Sequence, residues 1–200
     1  MKKTVKVFLV TAIGLLSYSM YAQFGVSGSL GASDLAVRDN NNIGTIYADF
    51  SFQVGGSFEA ELGDMVSLVP GLRFTYNSVR DLDLDKIKVI YLTVPFDVKV
   101  YFVDFGGTRL YALGGTYFGY LLSAKFNSTR LTIGNTNNDD VRPLDGGLRV
   151  GAGVQLFDAL NLDCAVDIGI VNIDGGEHIN GYRELNRAFR LTATYQFGRL

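Results

Sequence analysis

The sequence has little of what holds or covers an ordinary soluble domain. Its 200 residues include a single cysteine, Cys164, so no intramolecular disulfide can form. There is no tryptophan, and of only seven lysines three are the N-terminal Lys2, Lys3 and Lys6. Soluble domains cover roughly 25–35% of their surface with mixed charges. The composition therefore argues against a disulfide-held exported domain and against a soluble domain with a highly charged exterior.

No apolar run is long enough to be a spanning helix. The longest is VFLVTAIGLL, residues 7–16, which is about 10 residues against the roughly 20 that a transmembrane helix needs. It follows the basic MKKTVK and precedes the polar SYSMYA, which ends in a small residue. This layout is typical of a secretory signal peptide, so we predict a signal peptide over residues 1–22 and a single domain over residues 23–200.

The charge balance excludes nucleic acid as a partner. Removing the predicted signal peptide removes three lysines and takes the formal charge from −2 to about −5. No basic stripe is left in the remaining sequence to follow a phosphate backbone.

From Phe24 onward the sequence alternates with period 2 and shows no helical period. It is rich in residues that suit strands and tight turns, with 24 glycines, 14 phenylalanines and 11 tyrosines. Eight alternating stretches follow one another, which predicts an all-β fold. They cover residues 24–33, 49–60, 65–77, 88–102, 109–123, 144–157, 159–172 and 187–197.

The links between these stretches alternate between long and short. Long polar links such as residues 34–48 and 124–143 are separated by short ones such as ELGD and VDFGG. Outer-membrane barrels of Gram-negative bacteria have long external loops and tight periplasmic turns. The pattern predicts an eight-stranded antiparallel up-and-down transmembrane β-barrel in the cell outer membrane.

The stretch YLTVPFDVKVYF, residues 91–102, decides which face meets lipid. Phe96 and Val98 fall on one face, whereas Asp97 and Lys99 fall on the other. In a membrane barrel the apolar face points to lipid and the polar face into a lumen that, with eight strands, side chains must fill. We therefore predict an inward-facing set with five charges of each sign, which is Glu59, Arg73, Asp97, Lys99, Arg109, Asp145, Arg149, Asp163, Asp167 and Arg190.

Aromatic residues concentrate near the predicted strand ends, as in the aromatic girdles of membrane barrels. At the long-link ends these are Tyr47, Phe50, Tyr76, Tyr91 and Tyr120, and at the short-link ends Tyr101, Phe102, Phe105, Tyr111, Phe157, Tyr195 and Phe197. Pro70 and Pro95 lie inside predicted strands, where they indicate bulges or kinks.

Four segments in this order resemble the PorT-like outer-membrane β-barrel family: YLTVPFDVKVYF, GGTYFGYLLSAKF, GGLRVGAGVQLF and NRAFRLTATYQF. The family pattern falls on Tyr91, Leu92, Val94 and Pro95 in the first segment. In the second it falls on Gly115, Tyr117, Gly119, Tyr120 and Leu121. The resemblance implies the fold and the outer membrane, but no activity.

The sequence offers few candidates for chemistry. His178, the only histidine, lies with Glu177 and Glu184 in a loop without an identifiable serine partner. The acidic segments DLDLDK (81–86), GNTNNDD (134–140) and RDNNN (38–42) lack the spacing of a calcium loop. We therefore assign no catalytic, cofactor-binding or metal residues and expect no enzymatic activity.

Three hypotheses remain for the function. We favour a barrel with a side-chain-filled lumen that is structural or binds an extracellular ligand through its long loops. Its other expected partners are outer-membrane lipid and the barrel assembly machinery. The alternatives are a lipid-active outer-membrane enzyme and a soluble periplasmic barrel that binds a small apolar ligand inside.

Overall fold

The structure is a computed structural model that describes residues 22–39, 42–80, 85–127, 129–136, 139–175 and 183–198. These residues form nine strands and no helix that could cross a membrane. The strands are β1 (Ala22–Asp39), β2 (Asn42–Glu61), β3 (Val66–Arg80), β4 (Lys86–Asp104), β5 (Thr108–Phe126), β6 (Thr129–Arg130), β7 (Leu144–Leu156), β8 (Leu160–Gly169) and β9 (Arg183–Phe197).

Eight of these strands close into one antiparallel barrel. Each pairs with its neighbours in the chain, β7 takes the place beside β5, and β9 returns to pair with β1. The two-residue β6 pairs only with the end of β5 and stands outside the barrel wall. The predicted fold class, an eight-stranded up-and-down barrel, is confirmed.

The two ends of the barrel differ. The links 62–65, 105–107 and 157–159 are short and define the short-turn end. At the other, long-link end, the prediction for residues 34–48 is wrong, because β1 and β2 run through most of this segment. Register shifts at Ser33/Leu35 against β2 and at Ala48/Ser51 against β3 place an extra residue on β2, which interrupts the alternation of that strand.

The predicted faces are confirmed on β4. Asp97 and Lys99 are buried inside the barrel, whereas Phe96 exposes 52% of its surface on the outside. The outward-facing run from Leu92 to Phe102 covers ten residue steps, which at a strand tilt of about 40° gives a band about 25 Å tall. This is the height of the apolar band of a membrane barrel.

Three of the predicted girdle aromatics point inward instead. Tyr91, Tyr101 and Tyr111 are buried in the barrel, and Tyr111 is completely inaccessible. Their hydroxyl groups reach polar partners in the lumen, which an outward-facing ring could not do. The other predicted girdle residues that the structure describes lie on the outer face or are partly exposed, while the side chain of Tyr47 lies outside the described residues.

The two strand prolines are not bulges. Pro70 pairs with Phe96, and the register of β3 against β4 is the same on both sides of it. Pro95 pairs with Tyr117 on β5 and faces inward against Gly71, where an added Cβ would lie 3.2 Å from the Pro95 ring. The register between β4 and β5 shifts elsewhere, with the extra residue on β5 at Ile90/Tyr91 and on β4 at Tyr101/Val103.

Candidate functional site

The lumen near the short-turn end is filled by a group of side chains around Glu59. The Lys99 ammonium group lies 2.6 Å from Glu59 Oε2, and the Tyr101 hydroxyl donates to Glu59 Oε1 at 2.7 Å. Gln196 donates its amide to Oε2 of the same carboxylate at 2.5 Å. A carboxylate buried in this way needs such partners, because an unpaired buried charge is costly.

Arg109 lies at the mouth of the short-turn end. Its guanidinium group lies 3.8 Å from Glu61 and donates to the backbone carbonyl of Asp64 at 2.6 Å. The same group stacks 3.8 Å above the ring of Tyr101. One cation on β5 therefore contacts the ends of β2 and β4 and the 62–65 turn.

The middle of the lumen holds a cluster of arginines and aspartates, called here the lumen charge cluster. Its members are Arg73, Asp97, Arg149, Asp163, Asp167 and Arg190. Arg149 lies 3.6 Å from Asp163, 3.7 Å from Asp97 and 3.8 Å from Asp167. Arg73 also reaches Asp97, at 3.6 Å, and Arg190 pairs with Asp167. Acids and bases therefore alternate across the barrel.

Glycines on neighbouring strands give this interior its room. A Cβ on Gly55 would lie 2.9 Å from Cγ of Arg73, and one on Gly153 would lie 2.6 Å from the Tyr111 hydroxyl. Only a residue without a side chain fits at such distances.

Toward the long-link end the polar contacts change character. Asp145 accepts a hydrogen bond from the Asn186 amide at 2.9 Å, and the same amide donates to the Tyr91 hydroxyl at 3.2 Å. Asp145 has no ion pair with any described residue, unlike the other predicted inward acids. The sequence analysis missed Asn186, because this residue carries no charge and belongs to no recognisable motif.

Beyond this point the lumen becomes apolar. We call this part the apolar cup; it has a volume of about 220 Å³ and is lined by Leu35, Val79, Ile87, Val89, Leu131, Val141 and Ile173, with polar groups from Asp140, Asp174, Glu184 and Asn186. Leu35, Val79 and Ile173 are buried against one another. Residues of the long links thus fold over the mouth of the barrel.

The link 127–143 carries its own hydrogen-bonded turns. Asp140 accepts bonds from the backbone and side chain of Thr132, and Asp139 does the same with Thr136. The side-chain bond from Thr136 is the main cause of a lowered pKa for Asp139, and the backbone bond from Thr132 lowers the pKa of Asp140. Both carboxylates therefore order the link and stay ionised.

The candidates for catalysis and metal binding are only partly covered by the structure. His178, Glu177, Asp81 and Asp83 lie outside the described residues. Asp85 accepts a hydrogen bond from Asn127, and the backbone of Glu184 is bound to Asn172. Within the described ranges, no three His, Cys, Asp or Glu side chains form a group that could hold a metal ion.

Comparison with known families decides what kind of barrel this is. Residues 17–175 match the family described as outer membrane protein beta-barrel domain, which is well over half of the chain. The chain belongs to this family. The protein is therefore an outer membrane barrel, its apolar face meets lipid, and the hypothesis of a soluble periplasmic barrel is rejected.

Solved structures of outer membrane barrels are similar to this chain at low sequence identity. Neisserial surface protein A is 12% identical, with a TM-score of 0.55, and the match covers 88% of this chain and 99% of that one. Outer membrane protein W of E. coli is 15% identical, with a TM-score of 0.46 and coverage of 90% and 100%. OprG of Pseudomonas aeruginosa is 14% identical, with a TM-score of 0.46 and coverage of 88% and 96%. No curated protein matches the chain.

Proposed function

We propose that this outer membrane barrel has no open path through its lumen and works through its external, long-link end. The lumen charge cluster is the observation that carries the proposal. Arg149 alone bridges three aspartates on β4 and β8, so it spans the space that an ion would have to cross. An eight-stranded barrel is narrow enough for such side chains to fill it.

The external end has the features of an interaction surface. The turns of Asp139 and Asp140 order the described parts of the 127–143 link, and Val141 and Ile173 bring the described residues 139–143 and 170–175 onto the apolar cup. Loops that are ordered on a rigid barrel can present a fixed surface to a partner. We assign the role of binding an extracellular ligand to these two links.

A conductance measurement tests the closed lumen. We expect purified, folded protein in a planar lipid bilayer to carry no steady current. The control is the double variant Arg149→Ala and Arg190→Ala, which removes two of the three arginines of the lumen charge cluster and should open a measurable current. Folding of both proteins is checked by the change in gel mobility on boiling. A steady current from the unaltered barrel would contradict the proposal.

The proposal also includes the absence of catalysis. If His178 acted with Glu177 or Glu184 on lipids, its replacement would change the acyl composition of the outer membrane. We expect mass spectra of lipids from cells producing the His178→Ala variant to match those from cells producing the unaltered protein. An altered lipid profile would instead support the hypothesis of a lipid-active enzyme.

Within the family, we place the chain with the PorT-like barrels. The support is the pair of motifs at Tyr91–Pro95 and Gly115–Leu121. In the structure these motifs lie on the adjacent strands β4 and β5, where Thr93 pairs with Gly119 and Pro95 with Tyr117. We expect the barrel assembly machinery to be its partner during insertion, because the barrel closes only when β9 pairs with β1.

A further inference from the structure

Three cations lie side by side on neighbouring strands at the long-link end. Lys88 on β4 is directly opposite Lys125 on β5, and Lys125 is directly opposite Arg130 on β6. Neighbouring strands are about 4.8 Å apart, so this basic triplet spans about 10 Å. The sequence does not reveal it, because the three residues are 37 and 5 positions apart in the chain.

The triplet faces outward, away from the lumen. On β4, Val89 and Tyr91 are buried in the barrel, which places Lys88 with Leu92 on the outer face. On β5, Ala124 is completely buried and its neighbour Lys125 is exposed. Arg130 is exposed as well.

The described residues supply no counter-charge for the triplet. None of the three cations forms an ion pair with a described carboxylate. Asp85, the acidic residue nearest to Lys88 along the chain, is bound by Asn127, and Asp49 is held by Arg80 and Lys86. Like charges that lie directly opposite each other in a sheet destabilise it. An anion from outside the chain would remove this repulsion.

The height of the triplet indicates where that anion lies. Lys88 is four residues beyond Leu92, the edge of the apolar band, which is about 13 Å along the strand and about 10 Å in height. On β5 the order is Tyr120, Leu122 and then Lys125, so an interfacial aromatic and an apolar residue come just before the cation. A lysine side chain at this height extends into the headgroup layer.

We propose that the basic triplet binds the phosphate groups of a phosphorylated glycolipid in the outer leaflet. Arg130 supplies a planar fork that matches phosphate oxygens, while Lys88 and Lys125 supply compact charges beside it. Arg130 belongs to the 127–143 link assigned above, whereas Lys88 and Lys125 lie on the lipid-facing side of the wall, so this site extends beyond the loop surface.

Binding of diphosphorylated lipid A to the folded full-length protein in detergent tests the site. We expect the unaltered protein to bind diphosphorylated lipid A at least about tenfold more tightly than dephosphorylated lipid A. The double variant Lys125→Gln and Arg130→Gln should lose this preference. The matched control is Arg142→Gln with Arg183→Gln, which removes two exposed cations outside the triplet and should keep it.

Several outcomes would overturn the proposal. Equal affinity for both forms of lipid A would show that phosphate is not recognised. Equal loss in both double variants would show an effect of net charge alone. If inorganic phosphate or a sulfated polysaccharide bound the triplet as tightly as the lipid, the site would recognise a soluble anion and the lipid assignment would be wrong.

Discussion

At the scale of single residues, Phe96 and Lys99 show how strongly position on β4 decides the surroundings. They are three residues apart, yet Phe96 faces lipid and Lys99 lies 2.6 Å from Glu59 inside the barrel. Adding a charge on the outer face and removing one from the lumen should therefore both lower the free energy of unfolding, for different physical reasons.

Replacing Phe96 with lysine should destabilise the barrel by about 2–4 kcal/mol, because the residue lies near the middle of the apolar band. The matched control is Phe102→Lys, the same change at the band edge, which should cost about 0–1 kcal/mol. Unfolding by urea in lipid vesicles measures both free energies. Equal costs at the two positions would show that the inferred band is misplaced.

Arg149→Gln should destabilise the protein by about 3–5 kcal/mol, because it leaves three buried aspartates with fewer cationic partners. Arg187→Gln is the comparison. Arg187 lies 2.8 Å from Asp34 in a half-exposed pair, for which about 0–1 kcal/mol is expected. The same urea titration measures both variants, and similar values would argue against a tightly packed lumen.

At the scale of elements, the spacing between neighbouring strands fits the size of the aromatic rings that point into the barrel. Tyr111 on β5 fills the space above Gly153 on β7, and it has no accessible surface left. Neither strand can move away, because both are paired on their other side.

Gly153→Ala should cost about 1–3 kcal/mol, since the new Cβ would lie 2.6 Å from both the Tyr111 ring and the Leu162 carbonyl oxygen. Gly114→Ala on the adjacent strand is the control, because a Cβ there meets no atom within 4 Å. That change should stay within about 0.5 kcal/mol of zero. A neutral Gly153→Ala would show that the interior is looser than described.

The 127–143 link should lose its turns at acid pH. The pKa values of Asp139 and Asp140 are lowered by their bonds to Thr136 and Thr132. The stabilisation is therefore complete above the ordinary aspartate pKa of about 3.9 and is lost as pH falls through the lowered folded values. NMR shifts of the Thr132 and Thr136 amides report it, with Thr116 in the barrel wall as the reference. Changes that are already complete above pH 5 would contradict the assignment.

At the scale of the whole molecule, the two ends define its orientation in the membrane. The short-turn end has links of three or four residues, and the long-link end carries the 127–143 and 170–182 links. In outer membrane barrels short turns lie in the periplasm.

An epitope inserted at Asn135 should be labelled by antibody on intact cells, because this exposed position lies in the 127–143 link. The control is the same epitope at Gly63 in the 62–65 turn, which should be labelled only after the outer membrane is permeabilised. The reverse pattern would mean that the barrel is inserted the other way round.

Alternation together with the order of long and short links was enough to predict the barrel and the side of Asp97 and Lys99 on β4. Asp97 and Lys99 lie inside because period 2 fixes the face of every residue in an unbroken strand. The prediction of a long polar segment over 34–48 was wrong in its second half because an extra residue on β2, seen as register shifts at Ser33/Leu35 and Ala48/Ser51, breaks that period. At this end the interior is also apolar, as Leu35 and Val79 show, so the contrast between the two faces disappears.

Partners within the lumen could not be predicted in the same way. The sequence predicts that Arg149 and Asp163 face inward, but their contact depends on the register of β7 against β8 and on side-chain reach. Asn186 was missed because its role depends on meeting Tyr91 and Asp145 from the opposite wall of the barrel.

The contacts of β9 have a consequence for how the protein is made. Gln196 binds Glu59, and Arg190 binds Asn77, across 137 and 113 residues of chain. A growing sheet that still lacks its last strand therefore keeps these groups hydrated and without their final partners. Water leaves the interior only when β9 joins β1, so sealing of the wall and drying of the lumen are a single late event in assembly. Such long-range closure is slow, and a chain shortened by its last strand would stay wet and open.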